Sequence, residues 1–321
     1  MKNILLSICC CLAIMQAEDI VEKKSVEMET VSNSFTHGAS ISNFNSTSHE
    51  TLYIPQGYAS AGRKISELTW EAKNIKLLGI NAAYDFNNGL GVYVDYKKNI
   101  TTGNGVMDDL DWVDNANPDV LTHWSHHNNT DVDNVSILDL GLKYGYNFTD
   151  LSMATVSSIN TWVSIGYRYE NQKFSAYDGN GVYLGFPVVF SGLGITYEQE
   201  YKGPYIGIGA DLKNKNILLN LGFKYSPMMS TEYQDRHHQR VPAFTEKSNL
   251  DETDMINFNI GLGYIIDKSQ TISLSYEYTK YDYIRGNRTR YFDDGTVGDW
   301  DNSAAVDSKN SMINLKYSYI F

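Results

Sequence analysis

Met312-Ile313-Asn314-Leu315-Lys316-Tyr317-Ser318-Tyr319-Ile320-Phe321 closes the chain on a strict alternation. Ile313, Leu315, Tyr317, Tyr319 and Phe321 share one face of an extended backbone, and Asn314, Lys316 and Ser318 take the other. A period of two marks a strand, so the chain is expected to end inside one, on an aromatic carboxyl terminus. The same pattern recurs upstream. Ile256, Phe258, Ile260, Leu262 and Tyr264 alternate with Asn257, Asn259, Gly261 and Gly263, and Ile272, Leu274, Tyr276 and Tyr278 with Thr271, Ser273, Ser275 and Glu277. Residues 138–146 and 217–225 repeat it.

A soluble sandwich also alternates, but its inner faces are large and its outer faces polar. Here the polar face is rich in Gly, Ser and Asn, and the apolar face ends in Tyr, which suits lipid outside and a polar lumen inside. Short turn-like pieces at 86–89, 147–150, 213–216 and 267–270 separate long polar stretches near 46–66, 100–135, 171–192, 226–254 and 282–310. Four short turns and five long loops join ten strands, with both termini on the short-turn side. The expected fold is all-β, a ten-stranded antiparallel transmembrane β-barrel with long extracellular loops and short periplasmic turns. Ten strands make a narrow barrel, which argues against an open porin.

Residues 1–17 read as a cleaved signal peptide, with Lys2, an apolar run from Ile4 to Met15 and the small Ala17. Cys9, Cys10 and Cys11 are the only cysteines and fall within it, so the exported chain has no disulfide, zinc thiolate or thiol nucleophile. Residues 18–321 then form one barrel domain, with no internal repeat or linker. Past the signal, no run approaches the roughly 18 apolar residues of a membrane-spanning helix. With 26 Lys and Arg against 38 Asp and Glu, the formal charge is -12, which disfavours nucleic acid as the main partner. Aromatics at 13% and charged residues at 20% describe a folded chain rather than a disordered acidic one.

Five of the seven histidines fall in two of the long polar stretches, both acidic. The first carries Asp109-Leu110-Asp111-Trp112 and then His123, His126 and His127; the second carries Asp235-Arg236-His237-His238. In extended backbone, D-x-D sets Asp109 and Asp111 on one face, and D-x-H does the same for Asp235 and His237. The first stretch joins strands three and four and the second joins strands seven and eight, roughly opposite each other in a ring of ten. A carboxylate pair facing an Asp-His pair can activate water. His237 takes the proton, Asp235 orients the imidazole and stabilises its cation, and the opposed aspartates hold the water or share a proton. Two other readings use the same residues. One is a metal site drawing on His123, His126, His127, Asp109 and Asp111, whose spacing matches no specific metal motif. The other is a non-catalytic adhesin or host-protein-binding barrel that keeps these side chains as loop polarity.

Several blocks, in order, resemble the omptin family of outer-membrane endoproteases from about His49 to Phe321. They are G-R-K-I-S-E-L-T-W at Gly62–Trp70, D-L-D-W at Asp109–Trp112 with Asn117-Pro118, P-Y-I-G at Pro204–Gly207 and F-K-Y-S at Phe223–Ser226. The resemblance implies a bacterial outer-membrane location with the active site facing the exterior, a monomer, and a water mechanism without metal or cofactor. It implies cleavage of cationic peptides or proteins next to basic residues. Catalysis falls on Asp109, Asp111, Asp235 and His237, with His127 as a supporting rim histidine and Glu50 as an acid of the pocket for the basic side chain. The second pocket acid of the family is Tyr233 here, which argues against strict Arg specificity, because a buried guanidinium is matched by bidentate carboxylate pairing. The family's T-D-x-S-x-H-P also becomes Thr122-His123-Trp124-Ser125-His126-His127-Asn128, leaving preference beyond the first basic residue open. Lipopolysaccharide is the activating lipid that the resemblance implies. Glu200 stands where the family has a basic residue, with Lys173 and Lys202 as the cations nearby.

Overall fold

In the computed structural model, residues 33–149 and 157–321 are described, and the expected signal peptide lies outside them. Eleven strands carry the alternation: β1 (Ser34–Tyr53), β2 (Lys64–Asp85), β3 (Leu90–Asn99), β4 (Asn104–Asp111), β5 (His123–Thr149), β6 (Ser158–Tyr183), β7 (Phe186–Asn214), β8 (Ile217–His237), β9 (Phe244–Ile265), β10 (Gln270–Phe292) and β11 (Val297–Ile320). All pairings between neighbours are antiparallel, and β1 bonds to β2 on one side and to β11 on the other, so the sheet closes on itself. The terminal segment pairs with both neighbours, Leu315 with Leu274 on β10 and with Ile41 on β1.

The ring has ten wall positions, because β3 and β4 are two halves of one. Each runs between β2 and β5, β3 along one half of those strands and β4 along the other. The break falls at residues 100–103, where Gly103 takes φ +57° and an added Cβ would run into the Ile75 side chain. Opposite it, β2 carries its own irregularity at Asn74, with φ 59°.

Most of what the sequence suggests as long loops is strand. Only residues 54–63, 112–122, 184–185, 238–243 and 293–296 connect strands at that end. A strand crosses the hydrocarbon in about 9–11 residues, whereas these run to 29. The remainder is paired sheet standing above the lipid. There the outer face meets water instead of acyl chains, so the apolar half of the alternation disappears although the hydrogen-bond ladder continues. At the other end, the turns at 86–89, 215–216 and 266–269 match expectation. The turn expected at 147–150 differs, since β5 runs to Thr149 and the residues after it lie partly outside the described ones.

Alternation divides the inside from the outside. Leu78, Ile80, Val92, Val94, Leu140, Leu142, Ile165, Ile208, Leu262, Leu274 and Leu315 are exposed large apolar residues in the turn-proximal half, forming the lipid-facing belt. Within that level the lumen is filled by charge. Arg168 is 2% exposed and donates to Glu277 at 3.0 Å, Glu170 at 3.1 Å and the Tyr281 hydroxyl at 3.2 Å. Glu170 also accepts from Gln172 at 3.0 Å and from Asn310. Asp139 lies 3.6 Å from Arg168 as well, so Arg168→Met would take this cation from three carboxylates, at a cost of about 3–5 kcal/mol. A lowered denaturant midpoint of the micelle-held barrel measures it, and an unchanged midpoint would refute a charged network.

Above the charged layer lies a dry one. Trp70, Phe174 and Tyr197 are fully buried, with Trp70 and Tyr197 stacked at 5.2 Å and an interplanar angle of 6°. Phe44, Met107 and Val132 join them in the same cluster. The next inward-facing residues along these strands are the ones that the sequence singles out.

Candidate active site

On β4 the inward set is Met107, Asp109 and Asp111, because Met107 is buried and alternation carries the others to the same side. On β8 it is Tyr233, Asp235 and His237. Leu68 pairs with Asp109, one step above the Trp70–Met107 pair, and Tyr197 pairs with Asp235, so Asp109 lies just above the aromatic floor and Asp235 at its edge on the next strand.

The Asp235 Oδ2 to His237 Nε2 distance is 2.7 Å, and Asp235 is 2% exposed. The His237 ring stacks on Phe244 at 4.4 Å, which fixes its plane. Burial opposes a charged imidazole here, but the Asp235 carboxylate outweighs it through charge and hydrogen bond, so His237 titrates above its ordinary 6.5. With Nε2 held by Asp235, Nδ1 is the nitrogen left to exchange a proton.

Asp109 is pushed up to about 7, first by burial and then by the charge of Asp111. His237 and Arg240 pull it down and Asp235 pushes it up, so the β4 and β8 pairs sit within each other's field across the barrel. Of the buried polar atoms, Asp109 Oδ1, Asp235 Oδ1 and both Glu50 oxygens have no protein hydrogen-bond partner among the described residues. Glu50, on β1, is completely buried between the two pairs. Desolvation, then Asp235, then Glu246 hold its carboxyl well above 4.5, and Arg288 opposes them.

Tyr233 is also buried beside Glu50, and its hydroxyl donates to Glu246 Oε1 at 3.3 Å. Glu246 in turn accepts from Arg288 at 2.6 Å and from Arg290 at 2.7 Å. His127 sits two residues along β5 from Ser125, opposite Met107. Its Nε2 lies 3.1 Å from Ser125 Oγ, and Ser125 is the backbone partner of Asp109. Burial lowers the His127 pKa, and its ring lies against Phe190 at 5.3 Å. His126 takes the opposite face of β5 and pairs with Asp108 at 2.7 Å, both well exposed, so alternation splits the histidine cluster in two. Among the described residues no group of three or more His, Cys, Asp or Glu could hold a metal ion.

Glu246, Arg288, Tyr197 and Arg240 belong to this neighbourhood and carry no motif. Their signal is register alone, with Tyr197 opposite Asp235 on β7 and Glu246 opposite Asp235 on β9.

The omptin family model matches residues 31–321. The plasminogen activator of Yersinia pestis is 29% identical over 298 residues, covering 90% of each chain. The outer membrane protease OmpP of Escherichia coli is 24% identical over 281 residues, covering 85% of each. The crystal structure of the outer membrane protease OmpT from Escherichia coli superposes with a TM-score of 0.82 at 21% identity, covering 91% of this chain and 99% of that one. A family match across nearly the whole chain, on a closed antiparallel ring of the same architecture, means that the chain belongs to the omptin family and is an outer-membrane β-barrel.

Proposed function

We propose that the protein is a monomeric outer-membrane endopeptidase whose outward rim hydrolyses peptide bonds next to basic residues in cationic peptides or proteins. The observation that carries this reading is the hydrogen-bonded Asp235–His237 pair lying in the electrostatic field of Asp109 across the barrel. A water between the pairs gives its proton to neutral His237 as its oxygen attacks the scissile carbonyl. The imidazolium, stabilised by Asp235, then returns that proton to the leaving amine. Asp109, titrating near neutrality beside Asp111, shares a proton with it and holds the water. Glu50, a buried carboxyl with two unsatisfied oxygens, receives the basic side chain. The test is mass-spectrometric mapping of cleavage in peptides with Arg-Arg, Lys-Lys, Arg-Ala and uncharged sites. Cuts beside basic residues are expected, and cuts confined to uncharged sites would overturn the assignment.

The pH dependence follows in sign. The base form of His237 grows as pH rises through a pKa above 6.5, so kcat/KM should climb through the neutral range. Asp111→Asn removes a charge that holds Asp109 up; Asp109 then ionises at lower pH, its charge raises His237, and that limb should move to higher pH. A flat profile from about pH 6 to 8 would refute the base assignment.

The two cations beside Glu200 are already paired. Lys202 is bound by Glu200 at 2.7 Å and Glu232 at 2.8 Å, and Lys173 lies 3.7 Å from Glu198, so three carboxylates already engage the two cations. Cleavage in detergent alone should therefore match cleavage with added lipopolysaccharide within about threefold, comparing kcat/KM on one peptide.

A further inference from the structure

We infer that the recess formed by Glu50, Tyr197 and Tyr233 takes a primary ammonium in preference to a guanidinium, so that bonds beside lysine are cut faster than bonds beside arginine. This rests on the protease reading above and adds the identity of the preferred side chain.

Four buried oxygens meet here without a protein donor: both of Glu50, Oδ1 of Asp235 and the Tyr197 hydroxyl. Tyr197 is the strand partner of Asp235, and its ring lies 6.0 Å from that of Tyr233. After burial, the Glu50 charge is the largest influence keeping the Tyr197 phenol un-ionised. The unpaired donor nearby is Trp70 Nε1, on the ring stacked against Tyr197, and a lysine side chain brings three more on one compact head.

A guanidinium brings five donors in a planar fork that is satisfied by bidentate carboxylates. Only Glu50 offers it both oxygens of one carboxylate, because Asp235 holds His237 through Oδ2. Glu246, the other acid that bears on Glu50, is already occupied by Arg288, Arg290 and Tyr233. The place of a second pocket acid is thus taken by a phenol and by the protein's own arginine. An incoming guanidinium would leave donors unsatisfied in a dry site beside a like charge, whereas an ammonium matches the two Glu50 oxygens and the Tyr197 hydroxyl. Leaving buried donors unpaired is what makes such discrimination large.

The experiment compares the intact barrel on two peptides identical except for Lys or Arg before the scissile bond. A kcat/KM ratio of about tenfold or more in favour of lysine is expected. Tyr233→Asp, which supplies the second carboxylate, should bring that ratio to one or below by raising arginine cleavage. Butylamine should also inhibit the wild-type protein at lower concentration than butylguanidine, a measurement independent of how the variant folds. Equal or faster cleavage at arginine, or stronger inhibition by butylguanidine, would overturn this inference and leave the protease standing. Cleavage of neither peptide, with no inhibition to measure, would remove both.

Discussion

Asp235→Asn and His237→Ala should each lower kcat/KM by about 10³- to 10⁴-fold while the barrel stays folded, as judged by heat-modifiable migration on a gel. The two substitutions act at different points. His237→Ala removes the proton acceptor. Asp235→Asn keeps the acceptor but exchanges the charged partner at 2.7 Å for an amide, which loses the stabilisation of the imidazolium and leaves the ring free to take the wrong tautomer. Because the residues work as one unit, the double variant should be little worse than either single one. Full activity in either variant would remove the mechanism. For Asp235→Asn, the stacking of His237 on Phe244 makes a folded but inactive protein the expected state, since the ring is held by packing as well as by Asp235.

Glu50→Gln should be nearly as damaging, but selectively. A buried, unpaired carboxylate that meets an incoming cation contributes roughly 2–4 kcal/mol, or about 30- to 1,000-fold in kcat/KM, and an amide of the same shape contributes little of it. Without substrate, burial and the Asp235 charge favour the protonated form of Glu50. A loss of equal size on peptides without a basic residue would show that Glu50 supports the catalytic pair rather than the specificity pocket.

Where the sequence is legible follows from what each face of the strand touches. In the belt, lipid outside and a crowded polar lumen inside impose opposite demands on alternate residues, and the run from Ile313 to Phe321 can be read directly. The two acidic pairs are legible for a related reason: D-x-D and D-x-H keep both members on one face wherever the strand lies. Above the belt, both faces meet water or protein, so the strands from Lys202 to Phe186 or from Ser226 to His237 look like loops in sequence. Arg288 and Glu246 are invisible for a further reason. The pairings around them pass irregularities between Ser226 and Met229, between Tyr281 and Ile284 and between Gly286 and Arg288. Each shift of one residue exchanges inside for outside, so alternation counted up from the belt cannot reach them.

The long extramembrane sheet has a consequence for whom the enzyme meets. From Phe223 in the belt to Asp235 is twelve residues along β8, roughly 40 Å of strand and about 30 Å of height at a typical barrel tilt. The cutting edge is mounted on a rigid pedestal, well above its own anchorage. Neighbours in the same leaflet with short connections stand below its reach, while molecules arriving from the medium come to it first. If the rim cuts peptides as proposed, that height should favour chains arriving from the medium over short-looped neighbours in the same leaflet, a discrimination made by geometry before any pocket is engaged.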